Sequence, residues 1–548
     1  MHKRTALVNG RIHTPLGVRE ALSIEGGRVA ELGSDADIAP RANLAADGDM
    51  AVYDLKGRSV FPGFGDSHMH FMAWMESQEL LDLRICKSIG ELRTALKAHI
   101  DAHPVAEGGW YRGRGWNDAN LAEGRRPTRR DLDDLAPRNP VVLTRVCGHV
   151  AVANTAALKI AGITADTRVE GGVVGIGSDG EPDGILGEAA GRYVYNHIPK
   201  LQDEDMRRLL KQYGPLVASF GLTQLHSDDL SMFGFDFRRA IHFYMNAEEE
   251  GLLPFRMRQQ LNLPKRDLLV DFLSEGWRTG DGTPFYQIGP LKLLCDGSLG
   301  GRTAFLLQDY ADKPRERGIA VFGQDQLNEM IFIAHSSGMQ IATHAIGNGA
   351  LEMCLNAFEA AQSASPGIFR HKIVHAQIAD DRQLDRMKKL NVGAAIQPSF
   401  VPSDRGMAIE RLGSQWAARS YRWKTMLRKG IALSGGSDAP IESLRPLDGI
   451  HAAVTRQSQS EKPEESWIPE EKLSVAEAIS LYTWGSAWHG GSEKRRGEIS
   501  VGRDADLVVL DQDPFAEPVE NLWKIPVTMT LCGGRVTYGG EDPGRGAK

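Results

Sequence analysis

Hydrophobic and polar residues follow two different patterns along this chain. Residues 5–60 and the region after residue 505 contain short apolar runs separated by turn signals such as Asn9-Gly10 and Gly533-Gly534, which predicts short β-strands joined by hairpins. Between these ends, apolar runs of strand length alternate with longer stretches of helical periodicity. The pattern therefore predicts a small composite β-sandwich assembled from both termini and an α/β domain between them.

The central region contains eight candidate strands, at residues 60–65, 222–226, 255–261, 288–296, 339–344, 371–375, 392–397 and 431–438. Candidate helices lie at residues 203–219, 237–250, 327–336, 350–361, 380–389 and 410–429. Eight strands that alternate with helices predict a parallel (β/α)8 TIM-like barrel.

The spacing of these strands also predicts the domain boundaries. About 150 residues separate the first two strands, far more than a normal connection, so we expect an inserted subdomain at about residues 75–200. The predicted domains are residues 1–60 for the first part of the sandwich, 61–494 for the barrel with its insertion, and 495–548 for the second part of the sandwich.

Polar residues with metal-binding side chains stand where several of the barrel strands end. The first strand leads to His68 and His70, which point to the same side of an extended segment because strands have a period of two. His344 and His375 end the fifth and sixth strands, and Asp438 ends the eighth. Because strand ends of a barrel meet on one face, these five side chains predict a metal site with enough ligands for two ions.

Lys292 lies inside the apolar fourth strand, where an ammonium group loses its hydration unless it is paired or neutralised. Three explanations remain open. Lys292 pairs with Asp296 or another carboxylate, or it is a structural residue at the bottom of the barrel, or CO2 carboxylates its amine and gives an anionic group that bridges two metal ions.

The order His-x-His, Lys, His, His, Asp resembles the amidohydrolase superfamily, and the residues around it resemble the YtcJ-like branch, amidohydrolase family 3. The matching segments are residues 61–70, 292–304, 344–348, 436–440 and 497–511, and the resemblance spans nearly the whole chain. It implies a (β/α)8 barrel with a composite terminal β-sandwich and metal-dependent hydrolysis.

The resemblance also implies roles for the candidate ligands. His68, His70 and Asp438 would hold one divalent ion, His344 and His375 the second, and carboxylated Lys292 would bridge them. Two zinc ions are expected, with manganese or iron as alternatives. A divalent ion lowers the pKa of a water molecule to about 7, and Asp438 would act as general base and then acid. The expected reaction is attack of the activated hydroxide on the C–N bond of an amide-like or cyclic amide substrate, and esters also fit.

Candidate substrate-binding residues lie outside the ligand set. His149 belongs to residues 147–154, which resemble a family segment near the substrate, and Arg114 could grip a substrate carboxylate in bidentate fashion. Trp116 would line the entrance, although a tryptophan beside glycine turns is more often a packing residue. Asp296 would contact the substrate or orient Lys292.

One segment departs from the family pattern. Where relatives often have a small residue after the histidine of the second strand, this chain reads His226-Ser227-Asp228-Asp229. An acidic pair at this place would change the pocket or add a polar contact. The roles of these residues, and of the acidic candidate Glu188, stay open at this point.

Two other functions compete with this hypothesis. In a mononuclear, deaminase-like hydrolase, Lys292 would be unmodified and the histidines and Asp438 would hold one ion, so that the metal stoichiometry separates it from the two-ion enzyme. A non-catalytic binding protein on the same fold would require a broken site, yet every expected ligand type is present.

Composition narrows the classes of partner. The net charge of −7, with 25% charged residues, gives no basic surface for nucleic acid. Five scattered cysteines without a CxxC motif indicate a reducing compartment, and the chain shows no signal peptide and no apolar run of membrane-spanning length. We therefore expect a cytoplasmic enzyme with a small-molecule substrate, and the family suggests a homodimer.

Overall fold

The computed structural model describes residues 4–44, 50–146, 148, 150–169, 172–367, 369–460 and 465–540. The chain divides into two compact units. The first comprises residues 1–74 and 203–548, and the second comprises residues 75–202. The domain boundaries expected for the two parts of the sandwich stay predictions.

The first unit contains an eight-stranded parallel sheet. In chain order its strands are β1 Phe64–Met69, β2 Leu222–Asp228, β3 Arg256–Asn262, β4 Tyr286–Leu294, β5 Ile341–Ala345, β6 Lys372–His375, β7 Gly393–Ile396 and β8 Leu433–Gly435. Each strand pairs in parallel with the next one along the chain. Strands and helices alternate, which confirms the predicted α/β, TIM-like barrel architecture.

The end of β1 and the segment that follows β8 are joined by hydrogen bonds. The Asp438 N–H donates to the His68 carbonyl at 2.8 Å, and the His70 N–H donates to the Ala439 carbonyl at 2.8 Å. The buried Asp66 carboxylate adds bonds from the His68 and Ser437 N–H groups, both 3.0 Å long. Two predicted metal ligands, His68 and Asp438, are thus held in one hydrogen-bonded network.

Helices of the first unit span Asp35–Leu44, Phe71–Gln78, Asp203–Ser219, Phe237–Glu249, Arg266–Ser274, Gln324–Ser336, Asn348–Ala364, Asp381–Lys389, Phe400–Ala417, Trp423–Arg428, Pro446–Thr455, Val475–Tyr482 and Trp484–His489, the second of them running on into residues 75–78. Short 3-10 helices lie at Pro469–Glu471 and Val519–Lys524. The single helix predicted at residues 410–429 is wrong, because Tyr421 has a left-handed backbone with φ of 54°. Its N–H donates to the Gln377 carbonyl at 2.8 Å and so leaves the helical path.

The remaining strands of the first unit form two further sheets. They are Arg4–Val8, Arg11–Thr14, Gly17–Arg19, Ala21–Glu25, Arg28–Gly33, Met50–Asp54, Ser59–Pro62, Leu507–Leu510, Val527–Cys532 and Arg535–Gly539. Ser59–Pro62 pairs antiparallel with Leu507–Leu510, so strands from both ends of the chain share one sheet. The single strand predicted at residues 60–65 is therefore wrong, since Ser59–Pro62 lies in this sheet and the barrel strand starts at Phe64.

The second unit is built on a mixed six-stranded sheet. Its strands are Leu81–Asp82, Tyr111–Trp116, Val141–Arg145, Val150–Ala153, Gly172–Ile176 and Pro182–Glu188, and its helices are Ile89–Ala102, Thr155–Ile160 and Gly191–Tyr195, with 3-10 turns at Asp118–Asn120 and Arg129–Asp131. Among the residues described in either unit, no helix has the length and apolar character needed to cross a membrane.

Candidate metal centre

The predicted ligands of the first ion lie together at the carboxyl ends of β1 and β8. The Nε2 atoms of His68 and His70 are both 3.3 Å from the same oxygen of Asp438, Oδ1. This oxygen is buried, and within the described part of the chain no hydrogen bond of good geometry reaches it. Two imidazole nitrogens and a carboxylate oxygen around one point form a donor set that suits zinc.

The second nitrogen of His70 shows which atom faces this point. Its Nδ1–H donates to the Asp228 carbonyl at 2.9 Å, so the neutral ring directs the lone pair of Nε2 towards Asp438. Without a metal, a proton occupies this place. Burial lowers the pKa of His70, but the Asp438 carboxylate outweighs burial and raises it to about 9. A positive charge between His70 Nε2 and Asp438 Oδ1 is therefore electrostatically favourable.

His344 and His375 each use one ring nitrogen for a hydrogen bond to the protein and direct the other nitrogen at each other. The His375 Nδ1–H donates to Gln397 Oε1 at 2.7 Å, and the amide of Gln397 is oriented by its own bond to the Ala395 carbonyl. The Nε2 atom of His344 lies 3.2 Å from both the Gly297 carbonyl and Asp296 Oδ1 and donates there. The other two nitrogens, His375 Nε2 and His344 Nδ1, are 3.1 Å apart.

Two nitrogen lone pairs at 3.1 Å repel each other unless a proton or a metal ion lies between them. Burial and the neighbouring His344 lower the pKa of His375 to about 3, so this ring is neutral at pH 7. Ligand atoms of His68, His375 and Asp438 also lie within 4.8 Å of one another. The two groups of ligands thus adjoin, and the residues fit a centre of one or two divalent ions.

Lys292 is fully buried beside the candidate ligand His68 and the carboxylate of Asp228. Its Nζ lies 3.1 Å from His68 Nε2 and 3.9 Å from Asp228 Oδ2. Burial lowers the pKa of this amine, while Asp228 and Asp438 act in the opposite direction. The sequence suggested Asp296 or another carboxylate as the partner of Lys292. The carboxylate beside Lys292 is that of Asp228, whereas Asp296 contacts His344.

Asp296 is buried and positions the second pair of histidines. Its carboxylate accepts the N–H groups of Phe305, Ile346 and Gly347 at 3.0, 3.1 and 2.8 Å. One of its oxygens also contacts His344 at 3.2 Å. Asp296 therefore orients His344 and the loop that follows β5, whereas its contact with substrate stays a prediction.

Sequence reasoning did not assign three residues that support the ligands: Asp228, Gln260 and Gln397. Asp228 ends β2 in the same way as the ligands end their strands, which is the signal that could have found it. Gln260 in β3 lies 3.1 Å from His68 Nδ1. Gln397 directly follows β7 and so carried the same signal, whereas Gln260 lies inside the largely polar strand β3 and gave no comparable signal.

The neighbours of Asp228 have structural partners. Asp229 accepts the Met72 N–H at 3.0 Å and the Tyr244 hydroxyl at 2.6 Å, and it is completely buried. His226 is also completely buried inside the barrel, beside the side chain of Gln224. The two acidic residues thus have different roles. Asp228 lies beside Lys292 in the site, and Asp229 forms hydrogen bonds with residues of two helices.

The remaining predicted substrate residues belong to the second unit. His149 lies outside the described residues. Arg114 is exposed on the strand Tyr111–Trp116. Trp116 is completely buried, and its indole N–H donates to the Leu143 carbonyl at 2.8 Å. This is the environment of a packing residue, so the predicted contact of Trp116 with substrate gains no support, and that of Arg114 stays a prediction.

Comparison with known proteins identifies the family. The model of the amidohydrolase family matches residues 51–538. The chain belongs to this family. It is 36% identical to the protein YtcJ of Bacillus subtilis over 524 residues, which cover 95% of this chain and 96% of the relative. The family predicted from the sequence motifs is therefore confirmed.

Two further relatives extend the comparison. An uncharacterized metal-dependent hydrolase from Pyrococcus furiosus has a solved structure with 31% identity and a TM-score of 0.76, covering 93% of this chain and 99% of that one. The N-substituted formamide deformylase of Arthrobacter pascens is 26% identical over 537 residues, 95% of each chain. Family and neighbours together support hydrolase activity that depends on a divalent metal.

Proposed function

We propose that this protein hydrolyses a C–N bond in an amide-like or cyclic amide substrate, with divalent metal ions in the centre described above. The observation that carries the proposal is the convergence of lone pairs: His70 Nε2 faces Asp438 Oδ1 at 3.3 Å, and His344 Nδ1 faces His375 Nε2 at 3.1 Å. Buried lone pairs that oppose each other are costly unless a cation joins them.

Each ligand has a role in this proposal. His68, His70 and Asp438 would hold one ion, His344 and His375 the second, and a carboxylated Lys292 would bridge the two, with zinc as the first choice and manganese or iron as alternatives. When bound, such ions lower the pKa of water to about 7 and polarise a carbonyl group. Asp438 would accept the proton of the attacking water and donate it to the leaving amine.

The relative from Arthrobacter pascens suggests a first substrate class. Because it is described as an N-substituted formamide deformylase, N-substituted formamides belong in the first screen, with other N-acyl amines, cyclic amides and esters. Arg114 and His149 remain candidates for binding the rest of the substrate, and Asp296 for a contact near the reacting group.

The ion pair of Lys292 favours a second candidate function. Asp228 Oδ2 lies 3.9 Å from Lys292 Nζ, which suits an unmodified ammonium group. In that case one ion would be held by the histidines and Asp438, as in a mononuclear, deaminase-like hydrolase. A non-catalytic binding protein on the same fold is the third and weakest alternative, since no expected ligand type is missing.

Metal analysis of the purified protein tests the proposal. We expect about two metal equivalents in the wild type and a sharp fall in Lys292→Ala, because the bridging group is lost. Lys372→Met is the matched control. Lys372 is equally buried but donates to the Ser67 carbonyl at 3.1 Å, so its metal content should not change.

The other outcomes contradict specific parts of the proposal. One equivalent that is unchanged in Lys292→Ala would overturn the carboxylated lysine and leave the mononuclear hydrolase. A protein that binds neither zinc nor manganese when they are supplied would overturn metal-dependent hydrolysis. Metal binding without turnover of any amide, cyclic amide or ester would overturn the proposed reaction.

A further inference from the structure

A cavity of about 290 Å³ lies beyond the ends of β7 and β8. Its polar lining includes Ser399, Ser403, Glu442, Asp448, His451 and Gln459. These residues come from the start of the helix Phe400–Ala417, the loop after β8, and the helix Pro446–Thr455 with the segment that follows it. None of them belongs to the ligand set of the metal centre.

One ring contact and one charge interaction relate this cavity to the metal centre. Ser399 lines the cavity, and the next residue, Phe400, stacks on the ring of His375 with centroids 6.0 Å apart and an interplanar angle of 19°. Glu442 follows Asp438 by four residues, and the charge of Asp438 acts on it. The cavity therefore adjoins residues that neighbour two candidate ligands, His375 and Asp438.

The charged residues that line the cavity are all acidic. No lysine or arginine stands among the described residues that line it. Glu442 accepts a hydrogen bond from the Ser403 hydroxyl at 2.7 Å, and within the described ranges it has no ion-pair partner. Burial raises the pKa of Glu442, and the carboxylates of Asp404, Asp438 and Asp448 raise it further. This wall thus carries negative potential that the protein does not compensate.

Asp448 contributes less of this potential, because part of its charge is already paired. One of its oxygens lies 3.5 Å from Arg445 Nη1, and the other accepts the Ser443 hydroxyl at 2.5 Å. Glu442 is therefore the acidic group through which the cavity would discriminate between ligands of different charge.

His451 points independently to a ligand. It lines the cavity, it is only 3% exposed, and its Nδ1 has no hydrogen-bond partner among the described residues. Burial lowers the pKa of this ring despite the charge of Asp448, so the imidazole is neutral at neutral pH. A buried polar atom without a partner is uncommon in folded proteins, and a bound N–H group would satisfy it.

We propose that this cavity is the subsite for a cationic part of the substrate, a primary ammonium or guanidinium group that pairs with Glu442 and donates to His451. The inference rests on the proposed function, because it places the cation on the same molecule whose amide bond is cleaved. It gives the enzyme a substrate class: N-acyl derivatives of diamines or of guanidinoalkyl amines.

Three probes of similar length test the subsite: N-formyl-1,4-diaminobutane with an ammonium end, N-formylpentylamine with a neutral end, and N-formyl-4-aminobutanoate with a carboxylate end. Binding is measured by calorimetry on zinc-loaded Asp438→Asn protein, which should not turn the probes over. We expect the ammonium probe to bind about five-fold more tightly than the neutral one, and the carboxylate probe to bind most weakly.

Two variants in the same Asp438→Asn background assign the preference to the cavity. Glu442→Gln keeps a hydrogen-bond acceptor for Ser403 and should abolish the preference for ammonium without changing the affinity for the neutral probe. Gln459→Lys adds a positive charge to the exposed rim and should reverse the order of the two charged probes. Glu410→Gln, a change of the same charge on the exposed face of the helix Phe400–Ala417, is the matched control and should change nothing.

Results that would contradict the cation subsite can be distinguished from results that would contradict the proposed hydrolysis. Equal binding of the three probes, or an ammonium preference that survives both Glu442→Gln and Gln459→Lys, would overturn the subsite. If the preference depends on Glu442 but the wild-type enzyme hydrolyses none of the probes, the cation subsite stands and the proposed amide hydrolysis fails.

Discussion

Two pairs of histidines in the barrel unit have opposite hydrogen-bonding patterns. His335 and His371 form a continuous chain of bonds near the amino ends of β5 and β6. The Ile341 N–H donates to His371 Nδ1 at 3.1 Å, His371 Nε2–H donates to His335 Nδ1 at 2.9 Å, and His335 Nε2–H donates to the Ser365 carbonyl at 2.7 Å. Every ring nitrogen has a partner.

His344 and His375, at the opposite ends of these strands, both donate outward and direct their remaining nitrogens at each other. The two pairs have the same residue type and lie on neighbouring strands, and three of the four rings are buried while His344 is partly exposed. They differ in whether the lone pairs are consumed by protein donors or left to face one another. The lesson is that burial of histidines does not indicate a metal site, whereas the direction of their hydrogen bonds does.

The largest effect on activity should come from replacing Asp438, the proposed general base, which belongs to neither histidine pair. In Asp438→Asn the amide cannot accept the proton of the attacking water, so kcat on an accepted amide should fall about 10³-fold or more. Asp381→Asn, an exposed carboxylate on the helix Asp381–Lys389, is the control for the assay. A fall of less than about ten-fold in Asp438→Asn would contradict its role as general base.

Replacing one member of each histidine pair by alanine sharpens the contrast between them. His371→Ala removes the partners of the Ile341 N–H and of His335 Nδ1 and leaves a small cavity, so the free energy of unfolding should fall by about 2–4 kcal/mol. Its metal content should stay at the wild-type value. Denaturant unfolding and elemental analysis measure the two quantities on the same sample.

His375→Ala should behave in the opposite way. It removes a candidate ligand and one of two lone pairs that repel each other in the metal-free protein, so metal content should fall. Relief of that repulsion offsets part of the cost of the cavity and of the lost bond to Gln397, so the metal-free protein should lose less stability than in His371→Ala. Loss of metal from His371→Ala, or full metal occupancy in His375→Ala, would contradict the assignment of the two pairs.

The smallest effect is expected from Asp228→Asn. If Lys292 is carboxylated, Asp228 places a like charge beside it, and the substitution removes that repulsion, so metal binding should tighten by about three- to ten-fold. The Asp228 carbonyl that orients His70 is unaffected. Competition with a chelator measures the affinity. Weaker binding would instead indicate that Asp228 pairs with an ammonium group, and would favour the one-ion alternative.

Much of the barrel could be predicted because its signals are local. Apolar runs of strand length, interrupted by helical periodicity, marked seven of the eight strands and part of the first, and polar residues at strand ends marked most of the candidate ligands. The errors lie where one local sequence pattern is compatible with two different structures. Residues 60–65 read as one strand, although Ser59–Pro62 pairs with Leu507–Leu510 and only the part from Phe64 joins the barrel. That choice depends on a strand almost 450 residues further along the chain.

The sequence by itself determined the family, the order of the strands and the identity of the six candidate ligands, since each of these depends on residue type and spacing along one segment. Only the tertiary structure decided what each side chain contacts. It brought Asp228 within 3.9 Å of Lys292, turned Asp296 towards His344 and placed Glu442 and His451 in one cavity. The physical reason is that hydrogen bonds and ion pairs are short-ranged, so they depend on the packing of segments that are remote in sequence.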